Sequence, residues 1–363
     1  MLADGSSAHT EKWITDLEKN GIKIFLFSLR PLSNYLAKKN QTNNILSYSC
    51  DISLKSNASI FKKSTYLKIL PQLKREIKQF QPDLLHAHYI SSYGLLAYLS
   101  GFRPYVLSVW GSDILVFPKR SIIHKTSIKT ILKNATKVFA TSQLMLDVVQ
   151  NQFGKKESMR LPFGIDTKQF KPLPQSAPDR PFTFIILKSL TTTYGIDIAI
   201  EAFSKLKMQL PNKPMHLLIY GDGEKRKEYE TLAGELLNEC IFFKGKIPNS
   251  EASNALQHAD VFINISRNES FGVSVLEASA CGLPVIVSNK GGLPETVIPN
   301  ETGTMLEELT ADCCATAMEA YLKDNKKRHE HGNNGRAFVL KNYRQEEQVQ
   351  LQLDAYRELI GEV

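Results

Sequence analysis

Along most of its length the chain alternates short apolar runs with stretches in which apolar residues recur every three or four positions. The runs at 22–28 (IKIFLFS), 83–88, 105–110 and 137–141 have the length and continuous apolar character of parallel strands buried on both faces. Between them, residues 65–80 carry Leu70, Leu73 and Ile77 at helical spacing, with Lys and Arg on the other faces. Pro71 has no amide proton to donate, which predicts that the regular helix begins close to it. A second series, at 182–188, 216–220, 241–244, 261–265 and 284–287, follows a polar, proline-rich stretch at 171–181 that suits a linker. Strands alternating with helices on either side of such a joint predict an α/β protein of two Rossmann-like doubly wound domains facing a cleft, 1–168 and 169–342. Val349, Leu353, Tyr356 and Ile360 share one side of the last stretch, a helix expected to cross back, as 343–363, onto the first domain.

Size agrees with this division, since 363 residues exceed what one hydrophobic core usually serves. A hydrophobic share of 42% with 23% charged residues belongs to a globular chain rather than a disordered one. No apolar run approaches the roughly 20 residues of a membrane span, and the first residues lack a basic start with an apolar core, so a cytoplasmic protein is expected. The five cysteines form no Cys-x-x-Cys pair, which suits a reducing compartment and argues against disulfides or a zinc site. Charge is unevenly held: residues 1–168 carry 24 Lys and Arg against 11 Asp and Glu, a net +13, and the remainder carries 21 against 26, a net −5. A basic half attracts anionic lipid or a phosphorylated acceptor, or is simply well solvated. Without zinc-finger spacing or an aromatic RNA-binding cluster, nucleic acid is not an expected partner.

The segment from Glu269 to Glu277 (ESFGVSVLE) follows the run at 261–265 and opens a helix. A helix start offers unpaired amides and a positive dipole end, and Gly272 lets the backbone approach an anionic or hydroxyl-rich ligand. Glu269 is placed to accept hydrogen bonds from ligand hydroxyls, and Glu277 lies two turns on. Read in isolation, Glu269 is better taken as a helix cap and Glu277 as a surface residue. With Phe271-Gly272 inside, Cys281-Gly282-Leu283-Pro284 following, and Gly291-Gly292-Leu293-Pro294-Glu295 beyond, the segment resembles the signature of retaining glycosyltransferases of family 4. The resemblance covers nearly the whole chain, from Phe163-Gly164-Ile165-Asp166 through Gly221-Asp222-Gly223-Glu224 and Gly245 to Gly303.

The resemblance implies the two-domain GT-B fold and transfer of a hexose-type sugar from a nucleotide diphosphate, with no metal or other cofactor. Glu269 is then the donor-sugar residue and Glu277 the partner of the nucleotide ribose. Ser270, Phe271, Gly272, Val273 and Leu276, with Gly221 and Gly245, line the nucleotide-sugar site. Relatives place an Arg and a Lys after the first strand of the second domain to meet the diphosphate. Here Lys188 occupies the first position and Thr193 the second, which keeps one point charge and loses the guanidinium fork. No Asp-x-Asp metal signature occurs in the chain.

In the first domain, residues 3–9 (ADGSSAH) resemble the small-residue loop of these enzymes, with amides at Gly5 and Ser6 facing the donor phosphate and His9 toward the acceptor. Only Met1, Leu2 and Ala3 precede that loop where five or six apolar residues are usual, so the first sheet is expected to lack much of a central strand. Ser108-Val109-Trp110-Gly111-Ser112-Asp113 resembles a segment in which relatives carry histidine at the position of Trp110. Trp110 either stacks on a sugar or fills core, while Gly111 and Asp113 are expected to line the acceptor side with His88. His86 and His88 point to one side of a strand, but without a third ligand they are expected to hold no metal.

The basic stretch at 119–137, with Arg120, Lys125, Lys129 and Lys133 among isoleucines, suits an amphipathic helix resting on anionic lipid. A glycan or lipid-linked acceptor of cell-surface polysaccharide synthesis at the inner membrane face is therefore expected. A sugar-nucleotide epimerase of the same architecture and a non-catalytic glycan-binding relative remain open alternatives.

Overall fold

The computed structural model describes residues 1–41, 46–51, 65–173 and 180–361; residues 174–179 of the expected linker lie outside them. The chain forms two compact units, Met1–Pro162 with Gln348–Val363, and Phe163–Glu347. The joint falls ahead of residue 168 because the segment after Pro162 belongs to the second core. Ile165 pairs with Arg344, and Phe170 is buried.

In the first unit, strands β1 (Phe25–Ser28) and β2 (Leu46–Ser49) pair in parallel. So do β3 (Leu85–His88), β4 (Tyr105–Val109), β5 (Lys137–Ala140) and β6 (Ser158–Arg160), in that order. Leu2 joins the two groups through single bridges to Phe27 and Ala87. Its amide donates to the His86 carbonyl at 2.7 Å, and its carbonyl accepts from His88 N–H at 2.9 Å. The expected short central strand is thus one bridging residue, and strand order reverses around it. The helices that matter here are α1 (Ala8–Lys19), α2 (Thr65–Phe80), α3 (Leu95–Ser100) and α4 (Ile122–Asn134). Contrary to the sequence expectation, α2 starts well before Pro71 and runs through it. Ile69 and Leu70, on the N-terminal side of the proline, pack against the core and offset the missing backbone bond.

The C-terminal helix (Gln345–Ile360) contributes Val349, Leu353, Ala355 and Tyr356 to the same buried cluster as Trp13, Ile14 and Leu17 of α1. No helix among the described residues is long and apolar enough to cross a membrane.

The second unit is a six-stranded parallel sheet in the order β12-β11-β10-β7-β8-β9. Its strands are β7 (Phe182–Leu187), β8 (Met215–Tyr220), β9 (Ile241–Gly245), β10 (Val261–Asn264), β11 (Val285–Ser288) and β12 (Gly303–Leu306). Helices α5 (Ile196–Gln209) and α7 (Ala311–Lys323) contribute to one core cluster, and α6 (Val273–Ala280) contributes to the other. Connections run outward in both directions from β7, so the sheet reverses between β7 and β10. In open parallel sheets the carboxyl ends of the strands at such a reversal form the ligand-binding crevice.

Leu353 is 2% exposed among α1 residues. Leu353→Ala should lower the unfolding free energy of the first unit by about 2–5 kcal/mol in urea denaturation followed by tryptophan fluorescence.

Candidate functional site

Lys188 follows β7 directly, and Glu269 lies in the loop between β10 and α6, so the reversal of strand order brings them together from opposite sides. Their side chains form an ion pair, each 13% exposed. The Lys188 ammonium also stands 5.0 Å from the centre of the Tyr194 ring. Burial, and then the Glu269 charge, raise the Tyr194 hydroxyl above its ordinary range. Ser266 Oγ donates to Asn264 Oδ1 at 2.6 Å and lies 3.5 Å from Glu269, and the Glu269 carbonyl accepts from Gly292 N–H at 2.9 Å.

Backbone crowding dictates the small residues here. Gly221 N–H donates to the Gly245 carbonyl at 2.8 Å, and at φ 137° a Cβ on Gly221 would stand 1.9 Å from the Lys188 carbonyl oxygen. The loops after β7, β8 and β9 can close on one another only with glycine at that point. Gly272 caps α6 at φ 111°, where a side chain would be strained; beyond it Val275 N–H donates to the Gly272 carbonyl at 3.0 Å, while the amides of Val273 and Ser274 precede any intrahelical acceptor.

Of the expected donor-side residues, Ser270 and Val273 are half-buried at the entrance to α6, and Glu277 is half-buried in its second turn. Phe271 and Leu276 turn away from this end. The Phe271 ring is 2% exposed and lies 5.8 Å from that of Tyr343, and Leu276 is fully buried in the core, so both offer a ligand backbone at most. Thr193 is exposed, and its carbonyl accepts from Arg267 N–H at 2.7 Å. Arg267 also donates to the Thr192 carbonyl at 2.7 Å and forms a two-pronged pair with Asp197 at 2.9 and 2.6 Å. Sequence reasoning passes over Arg267, although a cation two residues before Glu269 was a usable signal. Its charge reaches the Thr193 loop already matched by Asp197, leaving Lys188 as the cation among the expected donor-side residues.

In the first unit the expected phosphate loop does not present its amides. Gly5 N–H donates to Ser28 Oγ at 2.9 Å, Ser6 N–H to Asp4 Oδ1 at 2.9 Å, and Ser7 N–H to the Asp4 carbonyl at 3.1 Å. Asp113 is likewise no lining residue. It is 0% exposed and accepts from the amides of Ile90, Gly111 and Trp110 at 3.0, 2.9 and 3.2 Å. These bonds offset the burial that pushes its carboxyl above the usual range. Asp113 therefore braces the turn after β4, and Gly111 gives its N–H to that brace.

What gathers at the reversal of this sheet is a set of rings. His88 lies 4.7 Å from Trp110 and 4.4 Å from His86, and His9 lies 5.9 Å from Trp110. His86 is tied to Tyr356 and Ser108 at 2.5 and 2.8 Å, whereas His88 Nδ1 is buried with no hydrogen-bond partner among the described residues. Burial, then the terminal amine and His9, lower His88 to about 3, and burial, then Lys12, lower His9 to about 4. Both rings are neutral at pH 7, so the unpartnered nitrogen of His88 is able to accept a hydrogen bond. The described residues include no group of three or more His, Cys, Asp or Glu placed to hold a metal.

Comparison with known proteins adds sequence likeness to this geometry. A family model described as glycosyl transferases group 1 matches residues 168–338, and one described as glycosyl transferase 4-like matches residues 1–142. A GDP-mannose-dependent alpha-(1-6)-phosphatidylinositol monomannoside mannosyltransferase of Mycolicibacterium smegmatis is 30% identical over 270 residues, 69% of each chain. The N-acetyl-alpha-D-glucosaminyl L-malate synthase of Bacillus anthracis is 26% identical over 312 residues, 80% of this chain and 79% of that one. The crystal structure of Anabaena HepE with UDP and glucose shares the fold at a TM-score of 0.79 and 18% identity, over 99% of this chain and 98% of the other.

A buried histidine whose folded pKa is depressed lets the unfolded chain bind its proton first, so stability is complete above the ordinary value and falls with pH below it. His88, ordinarily near 6.5 and here about 3, should cost about 2 kcal/mol as pH drops from roughly 6.5 to 5. Thermal unfolding of the first unit across that window should show a slope at least this steep, because His86 and His9 are depressed in the same direction, and His88→Asn should remove the share that belongs to His88.

Proposed function

Because the chain belongs to the glycosyl transferases group 1 family, we propose that it is a retaining, metal-independent hexosyltransferase using a nucleoside diphosphate sugar. The observation that carries this reading is the Lys188–Glu269 pair at the strand-order reversal of the second unit, beside the start of α6. Lys188 and the first-turn amides of α6 meet the diphosphate, Glu269 accepts from the hydroxyls of the donor sugar, and Glu277 takes the ribose. Fixed charge and helix amides supply what a metal supplies elsewhere. The complex of HepE with UDP and glucose supports a nucleoside diphosphate as ligand.

In the reaction the acceptor hydroxyl oxygen bonds to the anomeric carbon on the face the diphosphate leaves. The carbon–oxygen bond to the diphosphate breaks with its electron pair, and the hydroxyl proton passes to a departing phosphate oxygen. Stabilising that charge by position does most of the work. On the acceptor side the half-buried Trp110 offers a ring face, with the buried His88 ring packed 4.7 Å from it. The M. smegmatis mannosyltransferase names a phosphatidylinositol mannoside in its own activity, which favours a lipid-linked or glycan acceptor presented at the cytoplasmic face of a membrane.

The pair as it stands is neutral, so a diphosphate must draw Lys188 away from Glu269 and leave that carboxylate for the sugar. Glu269→Gln should therefore bind the nucleoside diphosphate product several-fold more tightly by calorimetry, while turnover falls about 10²–10³-fold. Turnover of the best donor by Glu269→Ala at the unaltered rate would refute the assignment. Sugar-nucleotide consumption without any acceptor would instead indicate an epimerase.

A further inference from the structure

The surface around α4 joins three features that no part of the transfer chemistry uses. The first is charge: no Asp or Glu occurs between the buried Asp113 and Asp147, while Lys119, Arg120, Lys125, Lys129 and Lys133 are all exposed. The second is exposed apolar surface beside that charge. α4 buries Ile128, Ile131 and Leu132 against the core, yet Ile122 and Ile123 in its first turn are 75% and 61% exposed, with Val116 at 41% nearby. The third is a shallow groove of about 400 Å³ between α3 and α4, to which Leu95, Tyr98, Ile122, Ile123 and Ile131 contribute apolar walls. A merely solvated or polyanion-binding face accounts for the lysines but leaves two adjacent isoleucines and an apolar groove facing water.

We propose that this face docks on an anionic phospholipid bilayer, Ile122 and Ile123 entering the acyl boundary while Lys119, Lys125, Lys129 and Lys133 lie against the headgroup phosphates. The groove beside the isoleucines accommodates part of an acyl chain. Docking here is independent of the donor-site reading, because it needs no nucleotide and uses none of the residues assigned to the transfer reaction.

The test is sedimentation of the full chain with phosphatidylcholine vesicles, with and without phosphatidylglycerol, at low and high salt. Binding should require phosphatidylglycerol and weaken with salt. Each lysine at an anionic surface is worth about fivefold, so Lys125→Glu with Lys129→Glu should lose at least about 25-fold. Ile122→Ser with Ile123→Ser should lose at least about tenfold, with a thermal unfolding midpoint and nucleoside diphosphate affinity like those of the parent. Should the serine variant lose its fold, Ile123→Trp decides, since bilayer entry shifts its emission to the blue and brominated lipid quenches it. Equal binding to neutral and anionic vesicles, no binding, or an Ile123→Trp emission indifferent to vesicles would overturn the proposal. So would a folded serine variant that binds like the parent, the pattern of a polyanion site for RNA.

Discussion

An ammonium group and a carboxylate share one end of the second sheet, and much of the local backbone is arranged so that they can. Lys188 leaves β7 and Glu269 follows β10, strands that are neighbours only because the connections run outward from β7 in both directions. The loop after β8 presses on the Lys188 carbonyl through Gly221, and Gly292 N–H holds the Glu269 carbonyl. A partly buried ion pair repays its desolvation poorly as a stabilising device. In the proposed function its value lies in setting two opposite charges at the mouth of a helix whose first two amides precede any intrahelical acceptor, where an anionic, hydroxyl-rich ligand would meet donors and an acceptor together.

The first unit follows the same rule with different chemistry. Its sheet reverses around Leu2, and there the structure gathers neutral imidazoles and an indole instead of charges. The contrast suits a division of labour in which one unit holds a nucleoside diphosphate and the other a neutral polyol. This is the expected arrangement of tasks in GT-B glycosyltransferases, whose fold the chain has.

Much of this was legible in the sequence because periodicity and spacing are local. Continuous apolar runs located most of the strands but not β2, β6 or β12, which are short and carry polar residues or glycine, and the interval from Glu269 to Glu277 reads directly as a helix start and a position two turns on. What escaped depends on direction, which residue type does not encode. Asp113 has the composition of a site residue, yet three backbone amides converge on its carboxylate, and no pattern of letters distinguishes an acid facing a ligand from one closing a turn. The amides at Gly5 and Ser6 were expected to be available, but Ser28, far along the chain, and Asp4 accept from them first. Phe271 and Leu276 lie within the motif but on the faces that pack inward. The Arg267–Asp197 pair joins residues on separate loops and becomes visible only when those loops meet. Pro71 misled for the opposite reason: a local rule gave way to packing on either side of it.

The central claim is that a nucleoside diphosphate replaces Glu269 as the partner of Lys188. A crystal structure of the protein with a nucleoside diphosphate bound measures this most directly. Phosphate oxygens within hydrogen-bond distance of Lys188 Nζ and of the amides that open α6, with the Glu269 carboxylate released from the lysine, are the predicted result. A nucleotide held elsewhere while Lys188 and Glu269 remain paired would contradict it.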